Sequence, residues 1–271
     1  MLRNKELFIF DIEGVVVPAI DDSISSPPKD VVFTLNELRK IGKKIAFLSN
    51  ISRIPYRRVA DILVNLGIAE SKAEVFTAGR VTAEYIDGRK KNARVFVISE
   101  LGLIVDLEID KNIKVVFEKP IDFVVVGMKR NINFDEINFA LEAILDGAEL
   151  ISVGHTNYYK GDFLGKKGLF IGDIPICEML SFASARPYIK IGKPAPAIFG
   201  HILSEYVVEP KKAVMIGDKL ETDIKGANSM GIFSIHVEPI VSPKHFLPPT
   251  DKEKIIPDLS VKNLKELLNY I

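Results

Sequence analysis

The sequence predicts an α/β fold, and three observations carry that prediction. Short apolar runs recur along the chain, they are continuous rather than alternating, and segments with helical periodicity lie between them. Continuous hydrophobicity marks strands buried on both faces, as in parallel sheets. Strands that alternate with helices in this way build right-handed βαβ crossovers.

The first run, Leu7–Phe10, leads directly into two carboxylates, Asp11 and Glu13, and then a glycine. Further strands are expected at Ile45–Leu48, Val95–Ile98, Phe123–Val126, Leu150–Val153, Ala213–Ile216 and Ile232–His236. Val59, Ile62, Leu63 and Leu66 share one helix face, as do Ile137, Leu141, Ile144 and Leu145. Val261, Leu264 and Leu268 suggest a third helix near the end of the chain. Gly67 and Gly147 stand where a C-terminal helix cap is expected. Asp21–Lys29 and Ile240–Lys254 read as irregular, proline-containing loops. The polar stretches Asp87–Asn92 and Ser184–Tyr188 read as hinges, which suggests a core of residues 1–90 and 186–271 carrying an inserted domain, 91–185.

A chain of 271 residues is long enough for two domains of ordinary size. Lys+Arg and Asp+Glu number 36 each, a balance that argues against a general nucleic-acid or anionic-membrane binder. The single cysteine, Cys177, excludes an internal disulfide and a thiolate zinc site, fits a reducing compartment and reads as a small buried hydrophobe. The apolar runs are far too short to span a bilayer. Asp11 and Glu13 interrupt the first of them, so it does not read as a signal peptide. The expected setting is cytoplasmic.

Asp11, Ser49 and Asp218 each directly follow an apolar run. In an open α/β sheet the C-terminal strand ends converge on one crevice. The acids Asp11, Glu13, Asp218 and Asp223 suit Mg²⁺, which prefers hard oxygen ligands. Ser49, Asn50 and Lys193 suit a phosphoryl group, toward which lysine acts as a point charge. Taken singly, each has a plainer reading. Asp223 with Thr222 could cap a helix, Lys193 could be a solvated loop lysine, and Ser49-Asn50 could cap the next helix. Taken together, a catalytic reading is favoured. His201 and His236 read as structural.

The order DIEGV, then SN after an apolar run, then GKP, then GDKLETD resembles the haloacid dehalogenase (HAD) superfamily of phosphohydrolases. FLSNISRIPYRRVADILVNLGI, KPAPAIF and PDLSVKNLKELL are similar to its nitrophenylphosphatase, or NagD-like, branch. The resemblance implies a Rossmann-like three-layer core with a parallel sheet and an inserted α/β C2-type cap. It implies Asp11 as nucleophile, forming an aspartyl-phosphate, and Glu13 as general acid and then base. It also implies Mg²⁺ held by Asp11, Asp218 and the Glu13 carbonyl, with Asp223 orienting Lys193 or a metal-bound water. Ser49 and the Asn50 backbone would bind the phosphoryl oxygens, and Lys193 would neutralise their charge. In the insert, GHTNYYKGD resembles the cap loop of that branch; Thr156 and Asn157 match it, whereas Tyr158 and Tyr159 depart from it. The tyrosines could stack on a leaving group or pack within the cap.

The expected function is Mg²⁺-dependent hydrolysis of a small phosphorylated metabolite, with a homodimer as the expected assembly. Two other readings stand beside it. DIEG also resembles the enolase-phosphatases, although too few residues separate Asp11 from Ser49 for the cap of that group. A binding protein that kept the fold and lost turnover is the other, against which the retained Asp11, Lys193, Asp218 and Asp223 argue.

Overall fold

The structure, a computed structural model, describes residues 1–20, 27–111, 113–163, 165–240 and 254–271. The chain begins with β1 (Leu7–Asp11), α1 (Lys29–Lys40), β2 (Lys44–Ser49), α2 (Tyr56–Asn65), β3 (Val75–Thr77) and α3 (Ala78–Arg89). It continues through β4 (Arg94–Ile98), α4 (Leu101–Lys111), β5 (Lys114–Val115), β6 (Phe123–Val126), α5 (Phe134–Leu145) and β7 (Glu149–Ser152). Next come β8 (Tyr158–Phe163), β9 (Lys166–Ile171), α6 (Asp173–Ser184), β10 (Tyr188–Lys190) and α7 (Pro196–Tyr206). Last are β11 (Ala213–Gly217), a π-helical turn (Leu220–Ile224), α8 (Lys225–Ser229), β12 (Phe233–Val237), β13 (Leu259–Val261) and a 3₁₀ helix (Leu264–Tyr270).

Two compact units result, one of residues 1–49, 57–76 and 193–271, the other of 50–56 and 77–192. The first is built on a sheet ordered β13-β12-β11-β1-β2-β3. β1 pairs in parallel with both β2 and β11, and its Leu7, Phe8, Ile9 and Phe10 are wholly buried. Each such side chain contributes about 1.5–3 kcal/mol by leaving water, which explains the unbroken apolar run. The register aligns Asp11 with Leu48 and Phe10 with Ile216, so β1, β2 and β11 end almost level. The strand ends that carry Asp11, Ser49 and Gly217 are thereby neighbours.

The second unit has a parallel sheet ordered β10-β7-β6-β4-β5 and an antiparallel hairpin, β8-β9. Phe96, Val124, Val126, Ala143, Ile144 and Leu180 form its core together with Cys177, whose thiol is pushed up by burial.

The hinge stretches expected at Asp87–Asn92 and Ser184–Tyr188 fall inside this second unit. Helix α3 packs on α4 there, and β10 completes the sheet by pairing with β7. Residues 50–56 join the same unit, where the Tyr56 amide donates to Asp106 Oδ1 at 2.8 Å. Gly102 admits their backbone, since a Cβ there would lie 2.5 Å from the Arg53 carbonyl oxygen.

Near the chain end, the expected helix through Val261, Leu264 and Leu268 is instead a strand containing Val261 followed by a 3₁₀ turn. Gly67 and Gly147 take the positive φ of helix C-caps, 66° and 112°. Of the irregular loops read from the sequence, residues 21–26 and 241–253 lie outside the described residues.

Candidate active site

Asp11 closes the central strand with 2% of its surface exposed. Its Oδ1 accepts hydrogen bonds from Lys193 Nζ at 2.7 Å and from the Ile12 amide at 2.8 Å. The same ammonium lies 2.7 Å from Asp223 Oδ1. The Lys193 side chain is only 2% exposed, which rules out a solvated loop lysine. Burial alone would raise the Asp11 carboxyl, but Lys193 and Lys219 hold it below the usual carboxylate range. Burial likewise opposes the Lys193 charge, yet Asp11 and Asp223 hold its ammonium above the ordinary value. The three groups form a charge-assisted chain in which the Lys193 ammonium bridges the two acids.

Asp223 is fully buried, and its Oδ2 accepts from the Lys219 amide at 3.1 Å. Gly217 permits this approach, because a Cβ there would come within 2.3 Å of the Asp223 side chain. Burial, and then the Asp11 charge, push the Asp223 carboxyl up.

Asp218 follows Gly217 and completes a set of three carboxylates, with Asp11 and Asp223, whose oxygens lie within 4.8 Å of one another. Its Oδ1 is buried and accepts no hydrogen bond from a described group. Burial pushes the Asp218 carboxyl up to about 6, against the pull of the Lys219 ammonium. Three convergent hard oxygen donors, one buried without a hydrogen-bond donor, fit a divalent cation such as Mg²⁺. Gly14 is pressed against the same carboxylate: at φ 90°, a Cβ on it would sit 2.5 Å from Asp218 Oδ2. His236 supports the loop from behind, its Nε2 donating to the Asp218 carbonyl at 3.2 Å.

Glu13 lies in the turn after β1, where the Gly14 amide donates to the Val17 carbonyl at 2.7 Å. Its Oε1 accepts from the Ile20 amide at 3.1 Å, so the longer carboxylate arm is tethered to the backbone of its own loop. Ser49 ends β2 and is buried, beside the carbonyl of Leu48 that faces Lys193 Nζ at 3.5 Å. Of the residues expected at the site, Lys193 thus bridges Asp11 and Asp223, Asp218 completes the carboxylate set, Glu13 lies in the turn after β1 and Ser49 ends β2.

Asn50 and Thr156–Tyr159 belong to the second unit. Asn50 lies against Gly192, where a Cβ would be 2.9 Å from its Oδ1. Thr156 and Asn157 sit in the loop after β7, which is pinned to the start of α6. The Thr156 and Asn157 carbonyls accept from the Ile174 and Gly172 amides at 3.2 and 2.9 Å. The fully buried Asp173 secures the loop further, accepting from Ser152 Oγ (2.8 Å), the Gly154 amide (3.1 Å) and the Thr156 amide (3.0 Å). Tyr158 and Tyr159 open β8 and, by strand alternation, face opposite sides of the hairpin. Tyr159 stacks on Phe170 with ring centroids 5.5 Å apart, and its hydroxyl is buried, so this tyrosine packs within the hairpin.

Two residues were not singled out from the sequence. Asp173 looks there like an ordinary first-turn helix acid. Lys219 looks like a surface lysine, yet its ammonium stands 3.5 Å from Asp11 Oδ2 and 3.8 Å from Asp218 Oδ1. Its place immediately after Asp218, in GDKLETD, was the available signal.

Comparison with known proteins gives a consistent picture. A family model described as haloacid dehalogenase-like hydrolase matches residues 8–109, and a second HAD-like hydrolase model matches residues 190–267. The chain is 30% identical over 272 residues to 5'-nucleotidase YutF of Bacillus subtilis, covering 100% of both sequences. It is 24% identical to an acid sugar phosphatase of Staphylococcus epidermidis, over 97% of this chain and 96% of that one. Among solved structures it resembles a p-nitrophenyl phosphatase from Archaeoglobus fulgidus, with TM-score 0.84, 26% identity, and coverage of 98% and 99%. A 4-nitrophenylphosphatase from Thermotoga maritima gives TM-score 0.79 at 26% identity, covering 99% and 98%.

Proposed function

Because the chain belongs to the haloacid dehalogenase-like hydrolases, in their nitrophenylphosphatase branch, we propose that it is a phosphatase that hydrolyses small phosphomonoesters through an aspartyl-phosphate on Asp11. Sugar phosphates and nucleoside monophosphates are the substrate classes to which its relatives point. The single observation that carries the mechanism is the buried Asp11 carboxylate, held ionised between Lys193 and the loop of Asp218 and Asp223.

In the proposed reaction an oxygen of Asp11 attacks phosphorus while the ester oxygen leaves with a proton from Glu13. Water then attacks the acyl-phosphate, Glu13 recovers a proton, and inorganic phosphate departs with Asp11 restored. Lys193 offsets negative charge on the phosphoryl oxygens, and Ser49 with the Asn50 amide orients them. Asp223 keeps Lys193 in place. Asp11, Asp218 and the Glu13 carbonyl would hold Mg²⁺, which when bound supplies positive charge beside the transferring group. Residues 50–56 and 77–192 would act as the cap, and Thr156, Asn157 and Tyr158 are its candidates for setting substrate preference.

Among the described residues no helix is long and apolar enough to cross a membrane. The charge balance and the single buried thiol fit the expected cytoplasmic setting without a nucleic-acid partner, and the homodimer is proposed from the branch resemblance. A screen of phosphorylated metabolites with Mg²⁺ tests the function: turnover of at least one monoester, abolished in Asp11→Asn, is expected. Hydrolysis that persists unchanged in that variant would overturn the assignment.

A further inference from the structure

Among the described residues, two ammonium groups, those of Lys193 and Lys219, stand against the three carboxylates, and they are held very differently. Lys193 is 2% exposed and bridges Asp11 and Asp223 at 2.7 Å on each side. Lys219 has a side chain that is 55% exposed and reaches only the outer edge of the cluster, 3.5 Å from Asp11 and 3.8 Å from Asp218. A flexible lysine arm with more than half of its side chain exposed can swing into water, giving up its attraction to Asp11 and Asp218 as it does so. Its main chain cannot swing, because the Lys219 amide donates to Asp223 Oδ2 and its carbonyl accepts from the Asp223 amide at 2.9 Å.

Asp11 and Asp218 are also the two side chains best placed to ligate a divalent cation. An ammonium resting against both therefore competes for the same negative charge. We propose that Lys219 is a resident counter-ion of the carboxylate site, one that a divalent cation displaces on binding and that sets the affinity for that cation. The inference rests on the metal reading of the site given above.

Lys219 steadies the carboxylates while the cation is away, and it makes the cation's binding weaker and more readily reversed. A unit charge about 4 Å from a bound dication, in surroundings between protein surface and water, opposes binding by tenfold or more in affinity. Withdrawal of the arm relieves part of that repulsion, so about tenfold is the expected effect of removing it. Since the backbone contacts of residue 219 involve no side-chain atom, Lys219→Gln leaves the loop geometry in place.

The test is calorimetric titration of Mg²⁺ into chelator-stripped full-length protein, as wild type, Lys219→Gln and Lys219→Arg, alongside thermal melts without and with Mg²⁺. Lys219→Gln should bind Mg²⁺ about tenfold more tightly, melt lower when stripped, and gain more from Mg²⁺. Lys219→Arg, which keeps the charge, should stay within about threefold of wild type. Equal or weaker Mg²⁺ binding by Lys219→Gln would overturn the inference alone. Absence of Mg²⁺ binding in wild type and variants alike would overturn the metal reading itself, and the counter-ion role with it.

Discussion

At position 11, exchanging one carboxylate oxygen for an amide removes the attacking charge while keeping the side-chain shape. Asp11→Asn should fold normally and lose turnover, checked by circular dichroism and by phosphate release from p-nitrophenyl phosphate. At position 13 the acid is one methylene longer than Asp, which moves its carboxyl out by about 1.5 Å. The Ile20 amide holds that longer arm, so the loop is fitted to glutamate. Glu13→Gln should slow kcat by roughly 10²–10⁴-fold, the usual worth of general acid–base catalysis. Glu13→Asp should also be slower, by on the order of 10²-fold, because a misplacement of about 1 Å has that cost; a kcat above wild type would sink this account. Asp11, Lys193, Asp218 and Asp223 were legible as site candidates because each falls at a fixed place after a strand or in a motif. Lys219 was not, because nothing in a sequence tells a lysine that folds back on a carboxylate from one that points into water.

At the scale of elements, the β8-β9 hairpin separates two neighbouring tyrosines that the sequence left undivided. Tyr159 stacks on Phe170, so Tyr159→Ala should lower the melting temperature and leave the ranking of substrates alone. Tyr158 lies on the other side of the strand, and Tyr158→Ala should reorder a panel of phosphomonoesters; an unchanged ranking would make it a packing residue too.

Asp173 ties the β7 loop to α6 by accepting from three donors through its two oxygens. Burial raises its carboxyl, so the folded state holds that proton more tightly than the unfolded chain does. The penalty is therefore absent below the unfolded value, near pH 4, and grows as pH rises through the folded value. The stability advantage of wild type over Asp173→Asn, read from urea melts, should accordingly shrink from pH 4 toward neutrality. A pH-independent difference would count against a buried ionising carboxylate.

Helix periodicity misread the chain end for a physical reason: a 3₁₀ helix also repeats every three residues, so Leu264 and Leu267 are buried in it at a spacing close to the α-helical one. The β8-β9 hairpin escaped notice because Tyr158–Phe163 follows the turn residues Gly154–Asn157 without a break in polarity.

For the molecule as a whole, the proposed metal dependence predicts loss of phosphatase activity in excess chelator. Mg²⁺ should restore it fully and Ca²⁺ poorly, since the larger ion takes a looser shell; full activity in chelator would refute the dependence. The α/β class followed from the sequence because parallel strands buried on both faces leave unbroken apolar runs. The limits of the two units did not, because membership is decided by which sheet a segment completes, and β10 and α3 carry no mark of that in composition.

The passage of the chain between its units bears on how such proteins exchange parts. The main chain crosses at 49/50, 56/57, 76/77 and 192/193, so the second unit is encoded in two separate pieces. A transplant of residues 77–192 between relatives would leave the recipient's residues 50–56 facing an unfamiliar Asp106 and Gly102. Recombination at a single pair of breakpoints therefore cannot move this unit alone, since a stretch holding both pieces also carries residues 57–76 of the first unit, and chimeras should stay soluble and active more often when both pieces come from one parent. New leaving-group preferences would then arise by drift of individual side chains more readily than by shuffling, with the short piece and the long piece inherited as one allele.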